Sequence, residues 1–228
     1  ERVVLELAMH LPSYGYEPIL GIPVEVGQPL PEFVVEAEKL NFHVARFPIN
    51  GAFDLGSIRN IREFVIENKV DIIHCHGYRE DFYALFARTK AKLVATNHLW
   101  KRTSVRLRLY AYLDALLLRR FQSIIAVSQL VQEDMVRTGI RPELITRISN
   151  GIDANMFSDS IEQREARISL GLPQSGVVIG TLSSLSVEKG LDYLVKAIAK
   201  CREGYPDIHL VIVGEGPEED CLRALVNQ

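Results

Sequence analysis

The sequence has no run of about 18 apolar residues, so it lacks the kind of segment that spans a membrane as a helix. It also lacks an opening of the signal-peptide kind, with basic residues before an apolar stretch. The cysteines Cys75, Cys201 and Cys221 form no CxxC pair and no metal-ligand spacing, which indicates free thiols in a reducing compartment. A net charge of −3 is too small to indicate a nucleic-acid partner.

Short apolar runs rich in Val and Ile recur along the chain, and amphipathic stretches separate them. Runs of this kind are typical of strands that are buried on both faces of a parallel sheet. Ile58, Ile61 and Val65 share one helical face, and Ser57 is placed to cap that helix. The alternation predicts a doubly wound α/β fold. The predicted strands are Pro18–Val24, His43–Ile49, Asp71–Cys75, Leu93–Thr96, Ser123–Val127, Leu144–Ile148, Val177–Leu182 and His209–Val213.

The order of these elements predicts two Rossmann-like domains, of which the second is incomplete. Residues 1–155 are expected to form an N-terminal domain that opens directly on a helical pattern, so its first strand is expected to be missing. Residues 174–228 supply the first half of a C-terminal domain, since a doubly wound domain needs about 100 residues. The polar segment Asp153–Pro173 is the expected boundary.

Histidines stand at the ends of two predicted strands. His74 and His76 point to one side because side chains alternate along a strand, and His98 follows the next strand. Ligands of open parallel sheets bind beyond the carboxyl ends of the strands, which favours a functional site as much as ordinary packing. No third ligand is evident at a matching spacing, so no metal site is predicted.

A serine-rich segment over residues 180–190 joins a predicted strand to a helix. Free backbone N–H groups at a helix N-terminus attract anions, and Lys189 adds a positive charge. The segment has no Walker pattern, and an ordinary helix cap remains the alternative. Gly214 and Gly216 follow the next strand and permit a tight turn.

Residues 100–122 carry an excess of positive charge. Leucine and aromatic residues alternate there with six basic residues against Asp114 alone. Two interpretations stay open: a helix on an anionic membrane surface, or a partly buried helix with a solvated basic face. The basic residues are Lys101, Arg102, Arg106, Arg108, Arg119 and Arg120.

Taken together, the motifs resemble the retaining glycosyltransferases of family 4, which have the two-domain GT-B fold. The resemblance implies that residues 1–155 are the N-terminal acceptor-side domain and residues 174–228 the first half of the C-terminal nucleotide-sugar-binding domain. The similar segments are DIIHCHG over residues 71–77, TNH over 96–98, IIAVS over 124–128, ISNGID over 148–153 with Phe157, EKGLD over 188–192 and VGEGP over 213–217. Each motif is modest alone, but their order and spacing are specific.

The resemblance implies a hexosyl-type transfer, with retention, from a nucleotide-diphosphate sugar to a glycan or lipid-linked acceptor. It implies surface polysaccharide or glycolipid biosynthesis in the cytoplasm, at the inner face of the membrane, without a metal or other cofactor. His98 corresponds to the family's catalytic histidine near the transferred sugar, and Lys189 to the lysine that neutralises the donor diphosphate. The remaining implied residues are Ser183, Ser184, Gly190, Gly214 and Gly216 for donor binding, with His76, Asn150 and Gly151 as support.

Two departures from the family pattern affect the expected activity. Ser184 replaces the family arginine, and a lost charge-assisted phosphate contact costs roughly 1.5–3 kcal/mol of binding. The family's E-x7-E motif would lie beyond Gln228, so we expect the chain as printed to be weakly active or inactive. A non-catalytic fragment that binds nucleotide-sugar and a nucleotide-sugar 2-epimerase remain the alternatives.

Overall fold

The computed structural model describes residues 2–51, 54–98, 100, 104–154 and 161–227. The chain divides into two compact units, one ending at Ile152 and the other beginning at Asp153. The predictions that concern Lys101, Arg102 and Phe157 fall outside the described residues. Within the described ranges, no helix has both the length and the apolar character needed to cross a membrane.

The first unit alternates strands and helices, as the sequence predicts. Strands β1 and β2 form one parallel pair, and β3 to β6 form a parallel sheet in chain order. Each strand begins and ends close to its predicted bounds. The strands are β1 Leu20–Glu25, β2 Val44–Ile49, β3 Ile72–Cys75, β4 Lys92–Asn97, β5 Ser123–Ala126 and β6 Ile145–Arg147; the helices are α1 Arg2–His10, α2 Glu32–Lys39, α3 Leu55–Glu67, α4 Tyr78–Ala87, α5 Val105–Leu118 and α6 Gln129–Arg137.

The core of the first unit lies between the sheets and their helices. Ala95, Ile124 and Ala126 of the longer sheet pack with Leu118 of α5 and Met135 of α6. The small residues Ala95 and Ala126 on the strands let the helices approach the sheet closely. This packing fixes α4 and α5 against the sheet whose strand ends carry the histidines.

The start of α3 differs from the prediction. Asp54, not Ser57, is the N-cap: its Oδ1 accepts from the backbone N–H of Gly56 at 2.8 Å and of Ser57 at 3.3 Å. Ser57 is buried instead, and its hydroxyl donates to the Pro48 carbonyl oxygen. Aspartate and serine are equally good caps, so the choice depends on where the chain enters the helix.

The second unit repeats the same pattern on a smaller scale. Parallel strands β7 and β8 pack against α8 and α9 around Leu185, Leu191, Val195 and Leu222. The last helix begins at Glu219, two residues after Pro217. The elements are α7 Gln163–Ser169, β7 Val177–Leu182, α8 Leu191–Cys201, β8 Ile208–Val213 and α9 Glu219–Val226.

Candidate functional site

Three histidines meet at the carboxyl ends of β3 and β4. These strands are parallel neighbours, which brings His74 and His76 beside the residue that follows β4. The rings of His74 and His76 lie 4.4 Å apart, and those of His76 and His98 are stacked at 5.7 Å. Nδ1 of His76 is 3.3 Å from Nε2 of His98, so one imidazole donates a hydrogen bond to the other. We call these residues the histidine cluster.

One end of the histidine cluster is anchored to the sheet. Nε2 of His74 lies 2.8 Å from the hydroxyl oxygen of Thr96, a buried residue near the end of β4. Because Thr96 and His74 belong to adjacent hydrogen-bonded strands, their spacing is set by the sheet. The order runs from Thr96 through His74 and His76 to His98, which is partly exposed.

The histidine cluster is held in its neutral form. Burial lowers the pKa of His76 to about 3, with further contributions from His74 and His98. Burial also lowers the pKa of His74 and of His98. Removing an imidazolium from water is unfavourable, and neighbouring imidazoles oppose a second positive charge. At neutral pH each ring therefore has one N–H donor and one acceptor nitrogen.

Two buried carboxyl groups lie behind the histidine cluster, and sequence reasoning missed them. Asp81 on α4 and Asp114 on α5 are each only 4% exposed. The indole N–H of Trp100 donates to Oδ2 of Asp114 at 2.8 Å. A signal was present, because Asp114 shares a helical face with Ala111, Ala115 and Leu118.

In the second unit, the loop after β7 and the turn after β8 are bonded to each other. The Leu185 N–H donates to the Glu215 carbonyl at 2.8 Å, and the Glu218 N–H donates to the Leu185 carbonyl at 3.0 Å. A Cβ at Gly214 would collide with the Ser183 carbonyl oxygen, and one at Gly216 would lie 2.8 Å from the Leu185 nitrogen. Both positions require glycine because the backbones approach so closely.

The side chains predicted to bind the donor lie in the loop after β7. Ser184 and Lys189 are exposed, and the Lys189 N–H donates to the Ser186 carbonyl at 3.0 Å in a single 3-10 turn. Gly190 follows in the left-handed conformation and begins α8. Asn150 and Gly151 are exposed after β6 in the first unit. Within the part of the chain that the structure describes, no three His, Cys, Asp or Glu side chains converge to hold a metal ion.

The two units of parallel βα repeats, with polar loops at the strand ends, match the GT-B class of glycosyltransferase folds. The chain's two regions match two family models in turn: Glycosyltransferase Family 4 over residues 1–155 and Glycosyl transferases group 1 over residues 162–228. The chain belongs to glycosyltransferase family 4. Membership favours a glycosyltransferase over a nucleotide-sugar 2-epimerase.

The similar proteins include transferases that are named for different sugars. The phosphatidyl-myo-inositol mannosyltransferase of Mycolicibacterium smegmatis is 26% identical, over 95% of this chain and 55% of that protein. One component of the human phosphatidylinositol N-acetylglucosaminyltransferase is 30% identical, over 73% of this chain and 34% of its own. The crystal structure of Anabaena HepE with UDP has a TM-score of 0.80 at 22% identity, covering 99% of this chain and 61% of HepE. The chain thus spans about half the length of the mannosyltransferase.

Proposed function

We propose that the protein transfers a hexosyl group, with retention, from a nucleotide-diphosphate sugar to a lipid-linked acceptor. The histidine cluster carries this proposal, because it sets neutral hydrogen-bonding groups at the strand ends where ligands of parallel sheets bind. Two observations on relatives support it: the mannosyltransferase and the N-acetylglucosaminyltransferase are both named for phosphatidylinositol acceptors.

His98 is the residue that we assign to the transferred sugar. It stands at the exposed end of the cluster, and burial keeps its pKa below the ordinary value. A neutral imidazole hydrogen-bonds sugar hydroxyls without placing a positive charge beside the oxocarbenium-like centre of the transition state. His76 fixes the ring through its hydrogen bond. In retention, the acceptor hydroxyl enters on the side from which the diphosphate leaves.

Lys189 is the residue that we assign to the diphosphate. Negative charge grows on the β-phosphate oxygen as the glycosidic bond breaks, and an ammonium group stabilises that charge. The exposed position of Lys189 beside the start of α8 leaves its amino group accessible to an anion. Ser183, Ser184, Gly190 and the glycines at 214 and 216 complete the proposed donor loop, with hydroxyl and backbone N–H groups as donors.

A lipid-linked acceptor requires access to a membrane, and α5 has a surface suited to it. One face of α5 exposes a stripe of apolar side chains at helical spacing while the opposite face is buried. Arg106 lies beside the stripe, with its guanidinium 5.2 Å from the Tyr110 ring. Apolar and basic groups together favour an anionic membrane surface at the cytoplasmic face. The stripe consists of Val105, Leu109, Tyr112, Leu113 and Leu116.

The proposal is tested by sugar transfer with the full-length protein. UDP- and GDP-linked hexoses are incubated with phosphatidylinositol vesicles, and the anomeric configuration of the glycolipid product is read by NMR. We expect an α-linked product from an α-linked donor, and a His98→Ala variant with kcat lower by about 100-fold. An inverted product would refute retention, and donor binding without transfer would favour the non-catalytic alternative.

A further inference from the structure

Asp81 and Asp114 form a buried pair of carboxyl groups between helices α4 and α5. Each side chain is 4% exposed, and each helix follows a strand whose end carries a histidine of the cluster. Helices α4 and α5 pack against each other, and each carboxyl group affects the pKa of the other. Carboxylates are rarely buried without a partner of opposite charge, so the pair needs a physical account.

The hydrogen bonds of the pair leave one oxygen of each group open. Oδ2 of Asp114 accepts from the Trp100 indole, but Oδ1 of Asp114 and Oδ1 of Asp81 have no partner among the described residues. Two ionised carboxylates only accept hydrogen bonds and repel each other. When one group keeps a proton, its O–H donates a hydrogen bond to the other carboxylate. This bond uses one oxygen of each group.

The surroundings favour keeping that proton. Burial raises the pKa of Asp81 well above its ordinary value of 3.8, and the charge of Asp114 raises it further. Burial also raises the pKa of Asp114. Glu80 on α4 raises the pKa of both groups, while Cys75 on β3, whose own thiol pKa is raised by burial, lowers the pKa of Asp81. The Trp100 N–H, donating from the loop after β4, acts in the opposite direction on Asp114.

The pair contacts both segments that carry the histidine cluster. Cys75, which stands between His74 and His76 at the end of β3, packs in the same core as Ala84 of α4, the helix that carries Asp81. Trp100, which donates to Asp114, lies two residues after His98 and packs against the core of the longer sheet. The pair therefore lies between the helix that follows β3 and the loop that follows β4.

We propose that Asp81 and Asp114 share one proton and act as positioning residues that hold the two histidine-bearing segments in register. The shared proton rests on the burial of both groups and on their unpartnered oxygens; its effect on sugar transfer rests on the proposed function. Neither carboxyl group touches the substrate. Their action is to fix the His98 segment relative to His76.

The test uses Trp100, the single tryptophan of the chain, as its reporter. Its emission is followed from about pH 5 to about pH 9, above the ordinary aspartate range, in the wild-type protein and in Asp81→Asn and Asp114→Asn. An asparagine amide donates to the remaining carboxylate without a shared proton. Glu63→Gln is the control, since Glu63 is an exposed carboxyl group bonded to Arg59 on α3.

We expect a sigmoidal change in the wild-type and the control emission that is absent from both aspartate variants. Stability should follow the same pattern. Because the folded state keeps a proton that the unfolded state has lost, wild-type stability falls as pH rises through the folded pKa, and Asp81→Asn falls less. A tryptophan titration that persists in both variants, or that is missing from the wild type, would overturn the shared proton.

Kinetics of the full-length protein separate this inference from the proposed function. We expect the wild-type kcat to fall at alkaline pH, where the shared proton is lost. Asp81→Asn should retain most of the wild-type kcat without this fall, while Asp81→Leu should lower kcat about tenfold or more with KM nearly unchanged. A kcat profile that keeps its alkaline decline in Asp81→Asn would overturn the positioning role. If the emission titrates as expected but even the wild type transfers no sugar, the shared proton is supported and the proposed function fails.

Discussion

At the scale of single residues, burial rather than ion pairing sets the chemistry of the site. His76 has a pKa of about 3, and burial is the largest cause. Burial alone keeps an imidazole neutral, because moving the charged imidazolium from water into the protein interior is unfavourable. A site of neutral donors and acceptors suits a reaction in which the electrostatic demand lies on the departing diphosphate.

The depressed pKa of His76 makes the protein less stable in mild acid. The unfolded chain takes up a proton near the ordinary histidine pKa of 6.5, whereas the folded chain does not until about pH 3. Stability contributed by neutral His76 is therefore complete above 6.5 and falls by about 1.4 kcal/mol for each pH unit below it. Urea unfolding at about pH 7 and about pH 5 should show a smaller loss in His76→Asn than in the wild type.

The control for this comparison is His43→Asn, since His43 is exposed in front of β2. It should keep the acid sensitivity of the wild type. An equal loss of stability in the wild type, His76→Asn and His43→Asn would mean that His76 is not kept neutral by burial.

Under the proposed function, Ser184 limits how strongly the donor loop holds a diphosphate. It is exposed, and its hydroxyl lies 3.4 Å from that of Ser186. Arginine at this position adds a charge-assisted phosphate contact, so Ser184→Arg should tighten nucleoside-diphosphate binding by about tenfold in calorimetry. Ser184→Met supplies the length without the charge and should leave the affinity unchanged. Equal affinities for the arginine and methionine variants would remove residue 184 from the phosphate site.

At the scale of elements, the close approach of two loops in the second unit depends on glycine. Gly214→Ala places a methyl group against the Ser183 carbonyl oxygen and should destabilise the second unit by about 1–3 kcal/mol. Gly180→Ala is the matched control, because a Cβ there meets no atom within 4 Å. Thermal unfolding followed by circular dichroism measures both. Comparable midpoints for the two variants would show that the loops separate easily.

Helix α5 has one buried face and one exposed apolar face. The buried face contacts the sheet, and the exposed stripe has the spacing of a membrane-binding surface. Leu109→Glu should weaken co-sedimentation with anionic vesicles by about tenfold, since burying a leucine contributes roughly 1.5–3 kcal/mol. Leu130→Glu alters another exposed leucine, on α6, and should have no effect. Equal binding by both variants would exclude α5 as the contact.

At the scale of the whole molecule, the sequence predicts the fold well because parallel βα units leave a strong pattern. Strands that are buried on both faces read as apolar runs, and the observed strands follow them closely. The positions of the histidines at strand ends also indicate the histidine cluster, because the carboxyl ends of neighbouring parallel strands lie side by side. The cap of α3 was misassigned, since Asp54 and Ser57 offer similar side chains and only the chain path selects one.

The acid pair was beyond prediction because it depends on contacts between distant segments. Asp81 and Asp114 lie on different helices, and nothing in either local pattern states that they meet. The same applies to the bond between the Trp100 indole and Asp114, which needs the register of α5 against β4. Local patterns give elements and their exposed faces, whereas side-chain networks require the packing that joins them.

Calorimetric binding of UDP and GDP is the most direct test of the central claim that Lys189 belongs to a donor diphosphate site. We predict that the protein binds one of the two nucleotides and that Lys189→Ala weakens this binding by about tenfold or more. Lys200→Ala, which alters an exposed lysine of α8, should bind as the wild type does. Unchanged affinity in Lys189→Ala, or no binding of either nucleotide by the full-length protein, would contradict the account.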